Sequence, residues 1–220
     1  MNRFTQIAND PVILSAYQSV AEFEEQDNGW AHHDYRHVSN VAQMVESLLR
    51  NMHCEESFIE EAKIAALLHD VGAAQGKEGH AQRSALFAKA YFEKNEIPLV
   101  YKKEILEAIR LHRAGFDTEN LMALVLIFSD KLDIKHTRVA KAGRNVPGMR
   151  QLCFVNDIQI ILDSSTLTIR FLCDKSLDQL ELEEFYFTKK VFRAIDSFSK
   201  KLKRTPVVYL NNHLWQPYSN

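Results

Sequence analysis

Along the first 135 positions, apolar residues recur every three or four places, the spacing that gathers them on one face of an α-helix. Between 10 and 25, Asp10 is placed to cap, Pro11 suits a first turn, and Val12, Ile13, Ala16, Tyr17 and Val20 keep the helical period. QDNGW (26–30) is a break. A second helix is predicted from Tyr35 to about Met52, with His37, Val41, Met44 and Leu48 on one inward face. Ser57 to Val71 predicts a third, small-residue helix carrying Ile59, Ala62, Ala65, Ala66 and His69, which Gly72 ends. After a loop over 72–80, helices are expected at 80–95 and from near Leu99, with Pro98 between them. In the latter, Ile105, Ile109 and His112 fall on one stripe. LMALVLIFSDKLD (121–133) is apolar all round until Ser129, as a buried central helix would be.

Past about residue 138 the pattern changes. VAKAGRNVPGMR has no period and predicts an irregular loop. Ile158, Ile160 and Leu162, then Leu167, Ile169 and Phe171, alternate at period two around the turn DSS, which predicts a β-hairpin over about 154–174. An amphipathic helix is expected at about 180–203, and Pro206–Leu210 fits a further strand. The predicted fold class is mostly α: a helical core, 1–140, with a small α+β appendage, 141–220, packed on it.

Composition narrows this picture. Hydrophobic content of 46% supports a sizeable core, and a formal charge of -2 argues against a general nucleic-acid binder. Cys54, Cys153 and Cys173 have no CxxC spacing, so a cysteine zinc site or disulfide framework is not expected. Cys153 and Cys173 could face each other across the hairpin, but buried free thiols fit better. MNRFTQIAND lacks an apolar signal core and no apolar run reaches 18 residues, so a cytoplasmic protein without membrane partners is expected.

The chemistry centres on His69-Asp70, back to back at the end of AKIAALLHDVG. Burying either side chain without a partner costs about 2 kcal/mol or more. His37 upstream, His80 and His112 downstream and Asp130 at the end of the apolar helix supply what a metal would need. Mixed imidazole and carboxylate suits Mn, Fe, Co, Ni or Zn, with Mg the poorer fit. One ion could take His37, His69, Asp70 and Asp130. A second could share Asp70 and add His80 and His112. Adjacent residues on a helix diverge, so the other ligands must arrive from other helices. His80 could instead merely start its helix. His33, four residues before His37, and Asp34 could orient that ligand or simply begin a helix.

These residues resemble those of the HD-domain superfamily of metal-dependent phosphohydrolases. The likeness lies in H37V38, A66L67L68H69D70V71G72, G79H80xxxS84, A108I109xxxH112 and S129D130K131L132D133, and covers about 30–135 in the order H…HD…H…H…D. It implies an orthogonal helical fold and hydrolysis of a phosphate ester, most often of a nucleotide, by metal-activated water, with Asp70 holding or bridging the ions. It also implies His37, His69, Asp70 and Asp130 as metal ligands, His80 and His112 as the second-site pair, and admits a homodimer. One departure stands out: many members carry a lysine or acid shortly after HD, where this chain has Val71-Gly72-Ala73-Ala74, and Glu78 is the nearest substitute.

No acid occurs between 134 and 156, whereas Lys135, Arg138, Lys141, Arg144 and Arg150 are basic. Following directly on Asp130 and Lys131, this stretch offers Lys131, Arg138, Arg144 and Arg150 as contacts for a substrate phosphate; a solvated loop is the plainer alternative. Rival functions are a di-iron oxygenase built on the same six ligands and a non-catalytic metal-binding regulator.

Overall fold

A computed structural model describes residues 2–218. The chain forms two compact units. The first comprises the residues up to Asp27 together with His33–Asp130; the second comprises Asn28–His32 and the residues from Lys131 on.

The first unit is a helical bundle: α1 (Arg3–Ala8), α2 (Pro11–Gln26), α3 (Tyr35–Asn51), α4 (Glu56–Leu68), α5 (His80–Lys94), α6 (Lys102–Leu111) and most of α7 (Leu121–Leu132). Local chemistry sets the starts. The Asp10 carboxylate accepts from the Val12 amide with Pro11 at the first turn, and Asp34 accepts from the amides of Arg36 and His37. Asp34 is therefore the cap of α3. That helix runs along α4, with Val38, Val41, Val45, Leu48 and Leu49 buried on one and Ile59, Ile64, Ala65 and Leu68 on the other. In α7, every residue from Met122 to Ser129 is buried, as the unbroken apolar run predicts. Each such large side chain contributes about 1.5–3 kcal/mol.

Three local predictions need correction. α4 stops at Leu68, His69 is its C-cap, and Val71–Gln75 forms a 3-10 turn. Gly72 does not end the helix; it lets α5 come close. A Cβ there would lie 2.6 Å from the Ser84 nitrogen and 2.9 Å from the His80 oxygen. The helix expected near Leu99 starts at Lys102, because the amides of Val100 and Tyr101 donate to the buried Glu61 carboxylate at 2.9 and 2.7 Å. α1, whose Asn2 side chain accepts from the Thr5 amide, had no periodic signal long enough to predict it.

In the second unit, β1 (Val155–Leu162) and β2 (Thr166–Cys173) form the expected antiparallel hairpin, with Ile158 opposite Phe171 and Ile160 opposite Ile169. Asp163 builds the turn by accepting the amides of Ser165 and Thr166, both at 2.7 Å. β3 (Thr205–Leu210) lies parallel to β2, and β4 (His213–Leu214) closes a small open sheet of order β1-β2-β3-β4. The single helix predicted over 180–203 is two, α8 (Gln179–Glu184) and α9 (Tyr186–Leu202), parted by an extended Phe185. Phe185 packs so tightly on the Gly148 backbone that a Cβ on Gly148 would meet it at 2.4 Å. That contact overrides the amphipathic period. The stretch before β1 holds short 3-10 turns at His136–Arg138, Ala142–Asn145 and Met149–Phe154. All three cysteines are free, and half-buried rather than buried.

Candidate metal centre

Six side chains from the first unit converge. His37 lies in the first turn of α3, His69 and Asp70 just past α4, His80 at the start of α5, His112 just past α6, and Asp130 in the last turn of α7. Five of them are buried, and Asp130, with 18% of its side chain exposed, is the outermost.

The six fall into two groups that share a residue. His37, His69, Asp70 and Asp130 bring one donor atom each within 4.8 Å of all the others, and Asp70, His80 and His112 do the same. The two oxygens of Asp70 serve different groups. Oδ2 lies 3.5 Å from His37 Nε2 and 3.3 Å from His69 Nε2; Oδ1 lies 3.0 Å from His80 Nε2 and 3.4 Å from His112 Nε2. Asp130 Oδ1 is 3.2 Å from His37 Nε2 and 3.7 Å from His69 Nε2.

These distances fit a cation. Two donors each about 2.1 Å from one ion and about 90–110° apart stand about 3.0–3.4 Å from each other. The buried Nε2 of His69 and Oδ2 of Asp70 have no hydrogen-bond partner, a costly state unless a ligand uses them. His80 Nε2 and His112 Nε2 also point at each other, 2.9 Å apart.

The backbone sets which nitrogen faces inward. His69 Nδ1 is 2.7 Å from the Ala66 oxygen, His80 Nδ1 2.8 Å from the Lys77 oxygen, and His112 Nδ1 2.7 Å from the Ile109 oxygen. A carbonyl only accepts, so each Nδ1 carries a hydrogen and each ring turns its Nε2 to the site, as a lone pair once that nitrogen gives up any proton to a cation. For His69 and His112, the acceptor is a carbonyl left over at a helix C-terminus, where the helix dipole also favours positive charge.

Electrostatics point the same way. Burial alone would lower the His69 pKa, but Asp70 and Asp130 outweigh it and push the ring up to about 10. Burial would raise both carboxylates; His69 and its neighbours instead hold Asp70 well below the usual range, and His37 and His69 do so for Asp130. For His112, burial dominates and lowers it. In the protein alone, a proton on His69 thus plays the part of a counter-cation.

His33 lies at the rim. Its ring centroid is 5.9 Å from that of His37 and 6.5 Å from that of His80, and its Nδ1 contacts Glu24. The basic candidates belong to the second unit. Lys131 follows Asp130 in α7, Arg138 is buried in a 3-10 turn, Arg144 is exposed, and Arg150 pairs with Glu181. Arg144 and Arg150 line one cavity of about 540 Å³ with His136. Glu78, the substitute acid, has its side chain in solvent.

Two supporting residues escaped the motif reading. Tyr17 donates to the Leu67 oxygen at 2.5 Å and so holds the end of α4, and burial together with the Asp70 charge raises its phenol. Glu24 is buried against His33. Its signal was present: Ile13, Tyr17, Val20 and Glu24 are spaced 4, 3 and 4 apart, so the inward stripe of α2 ends in an acid.

A family model described as the HD domain matches residues 34–145, just over half of the chain. Among solved structures, a predicted HD superfamily hydrolase from an uncultured Thermotogales bacterium, determined at 1.45 Å, is similar over 66% of this chain and 87% of its own, at 24% identity and a TM-score of 0.43. No curated protein matches.

Proposed function

This chain belongs to the HD-domain family of metal-dependent phosphohydrolases, and we propose that it cleaves a small phosphorylated substrate, nucleotide-like in character, using one or two divalent transition-metal ions. The observation that carries this reading is the pair of donor clusters joined through Asp70. His37, His69, Asp70 and Asp130 would hold one ion, and Asp70, His80 and His112 a second. When bound, a divalent ion supplies Lewis acidity, lowering the pKa of a water and offsetting charge on the phosphoryl oxygens.

The chain's own part is to hold that arrangement. Asp70 offers one oxygen to each cluster and is the residue on which both depend. The carbonyls of Ala66, Lys77 and Ile109 fix three rings in the tautomer a cation requires. The bundle closes five of the six donors off from bulk water, which strengthens every charge interaction inside. In this reading the chemistry lies in the helical domain, 1–140. Lys131, Arg138, Arg144 and Arg150 are the residues proposed to meet a substrate phosphate. Mn, Fe, Co, Ni or Zn suits the donor set better than Mg. A homodimer is part of the proposal. Among the described residues no helix is long and apolar enough to cross a membrane.

The test is a panel of nucleotides and other phosphorylated metabolites offered with Mn, Co, Ni, Fe or Mg. Metal-stimulated phosphate release is expected, and Asp70→Ala should abolish both metal retention and turnover. Oxygen uptake by a di-iron form without phosphate release would favour the oxygenase instead. Silence across the panel would favour a regulator.

A further inference from the structure

The second unit holds another cavity, of about 460 Å³, bordered by α9, β3 and the stretch from Trp215 to Tyr218. That volume suits a small organic molecule. Its floor is apolar, with Ile195, Val208 and Trp215 all buried. Phe192 meets two further rings there, 5.0 Å from Trp215 and 5.4 Å from Tyr218 between centroids, both edge-on.

The polar tips of two of these rings are already used. The Trp215 indole N–H donates to the Glu183 carboxylate at 2.8 Å, and the Tyr218 hydroxyl donates to the Glu183 carbonyl at 2.7 Å. One residue of α8 therefore holds both rings and leaves their hydrocarbon for the cavity. Walls fixed in this way receive a flat ring without first having to be ordered. The rim is charged. Lys189 and Arg193, one turn apart on α9, line it together with Asp196, and all three are exposed. Among the described residues none of the three has an ion-pair partner, although Arg193 and Asp196 stand three places apart on one helix. The Lys189 ammonium lies 5.9 Å from the centre of the Tyr218 ring. Two cations beside an aromatic wall fit an anionic group carried on a flat ring. Asp196 adds one acceptor and repels a second anionic group.

We propose that this cavity is a binding site for a small aromatic monoanion, with its ring against Phe192, Trp215 and Tyr218 and its charged group at Lys189 and Arg193. None of the lining residues belongs to the two donor clusters. The assignment therefore goes beyond the phosphohydrolase reading and does not depend on it.

The experiment titrates the full chain, in the presence of a chelator, with naphthalene-2-sulfonate, a flat ring bearing one negative charge. The neutral naphthalene-2-sulfonamide, the ringless methanesulfonate and the doubly charged naphthalene-2,6-disulfonate serve as comparisons, and calorimetry reads affinity and stoichiometry. Naphthalene-2-sulfonate should bind once per chain with a Kd of about 1 mM or tighter, the affinity expected of a well-fitted ligand of its size. The other three should bind more weakly. Lys189→Gln and Arg193→Gln should each weaken the sulfonate about tenfold, the loss expected of one charge-assisted hydrogen bond, and leave the sulfonamide unchanged. Phe192→Leu should weaken both, with thermal melting measured to confirm that each variant is folded. Asp70→Ala should bind as the parent does. Absence of binding, binding at several sites, equal affinity for sulfonate and sulfonamide, or indifference to both charge variants would overturn the proposal. Loss of binding in folded Asp70→Ala would place the anion at the donor clusters and overturn it too. None of these results bears on phosphate release, which the metal panel tests separately.

Discussion

His69 carries the largest consequence of any single residue in the centre. Its pKa of about 10 against an ordinary 6.5 means that, without metal, it contributes stability that is fully present below about pH 6.5 and lost as pH climbs through about 10. The depressed Asp70 and Asp130 work in the other direction, contributing above the ordinary 3.8 and failing as pH falls through their lowered values. A metal ion must displace the His69 proton. Apparent affinity should therefore rise about tenfold per pH unit from about 7 to about 10, with release of about one proton. Calorimetry in buffers of different ionisation enthalpy measures that proton directly, and a pH-independent affinity would contradict the assignment. At this scale the sequence was informative where an unlike residue broke an apolar stripe, as His37 and His112 do; Glu24 breaks one in the same way but was not singled out. It was silent on Nδ1 partners, because those are backbone oxygens and leave no mark in residue type.

Among the elements, the turn at 71–75 and the start of α5 depend on each other. The Gly72 amide donates to Ser84 Oγ at 2.9 Å, and Arg83 Nε donates to the Gly72 oxygen at 2.9 Å. Gly72→Ala would force α5 outward, because the new Cβ meets main-chain atoms rather than a flexible side-chain end. A loss of about 1–3 kcal/mol is expected from such overpacking, seen as a lower Tm. Because α5 begins with His80, an ion bound at Asp70, His80 and His112 would be lost while one bound at His37, His69, Asp70 and Asp130 would stay, which metal analysis would count. The helices were legible as periods, but their ends were not. Gly72 has the composition of a stop signal and instead serves a close approach twelve residues away in sequence. Phe185 likewise fits the amphipathic stripe of one long helix, and only its contact with Gly148 breaks it.

For the molecule as a whole, two carboxylates and four imidazoles gathered in a mostly closed site make metal and folding interdependent. Free metal at about a hundred times its Kd should stabilise the native state by about 2.7 kcal/mol. In a chain of this size that raises Tm by about 5–11 °C. A chelator should reverse the shift, and a Tm indifferent to both would argue against a metal centre. The class of fold was legible because helical and alternating patterns occupy separate stretches of chain. The pairing of β3 in parallel with β2 was not, since a strand's neighbour is chosen by the connection through α9 rather than by its own residues.

The division of Asp70 between its two neighbourhoods ties their occupancies together. A first guest draws on the charge of a carboxylate that the next one also needs, and the two guests repel across a few ångströms. Where both are filled, loading should accordingly be antagonistic and stepwise, with a half-filled species accumulating at one equivalent.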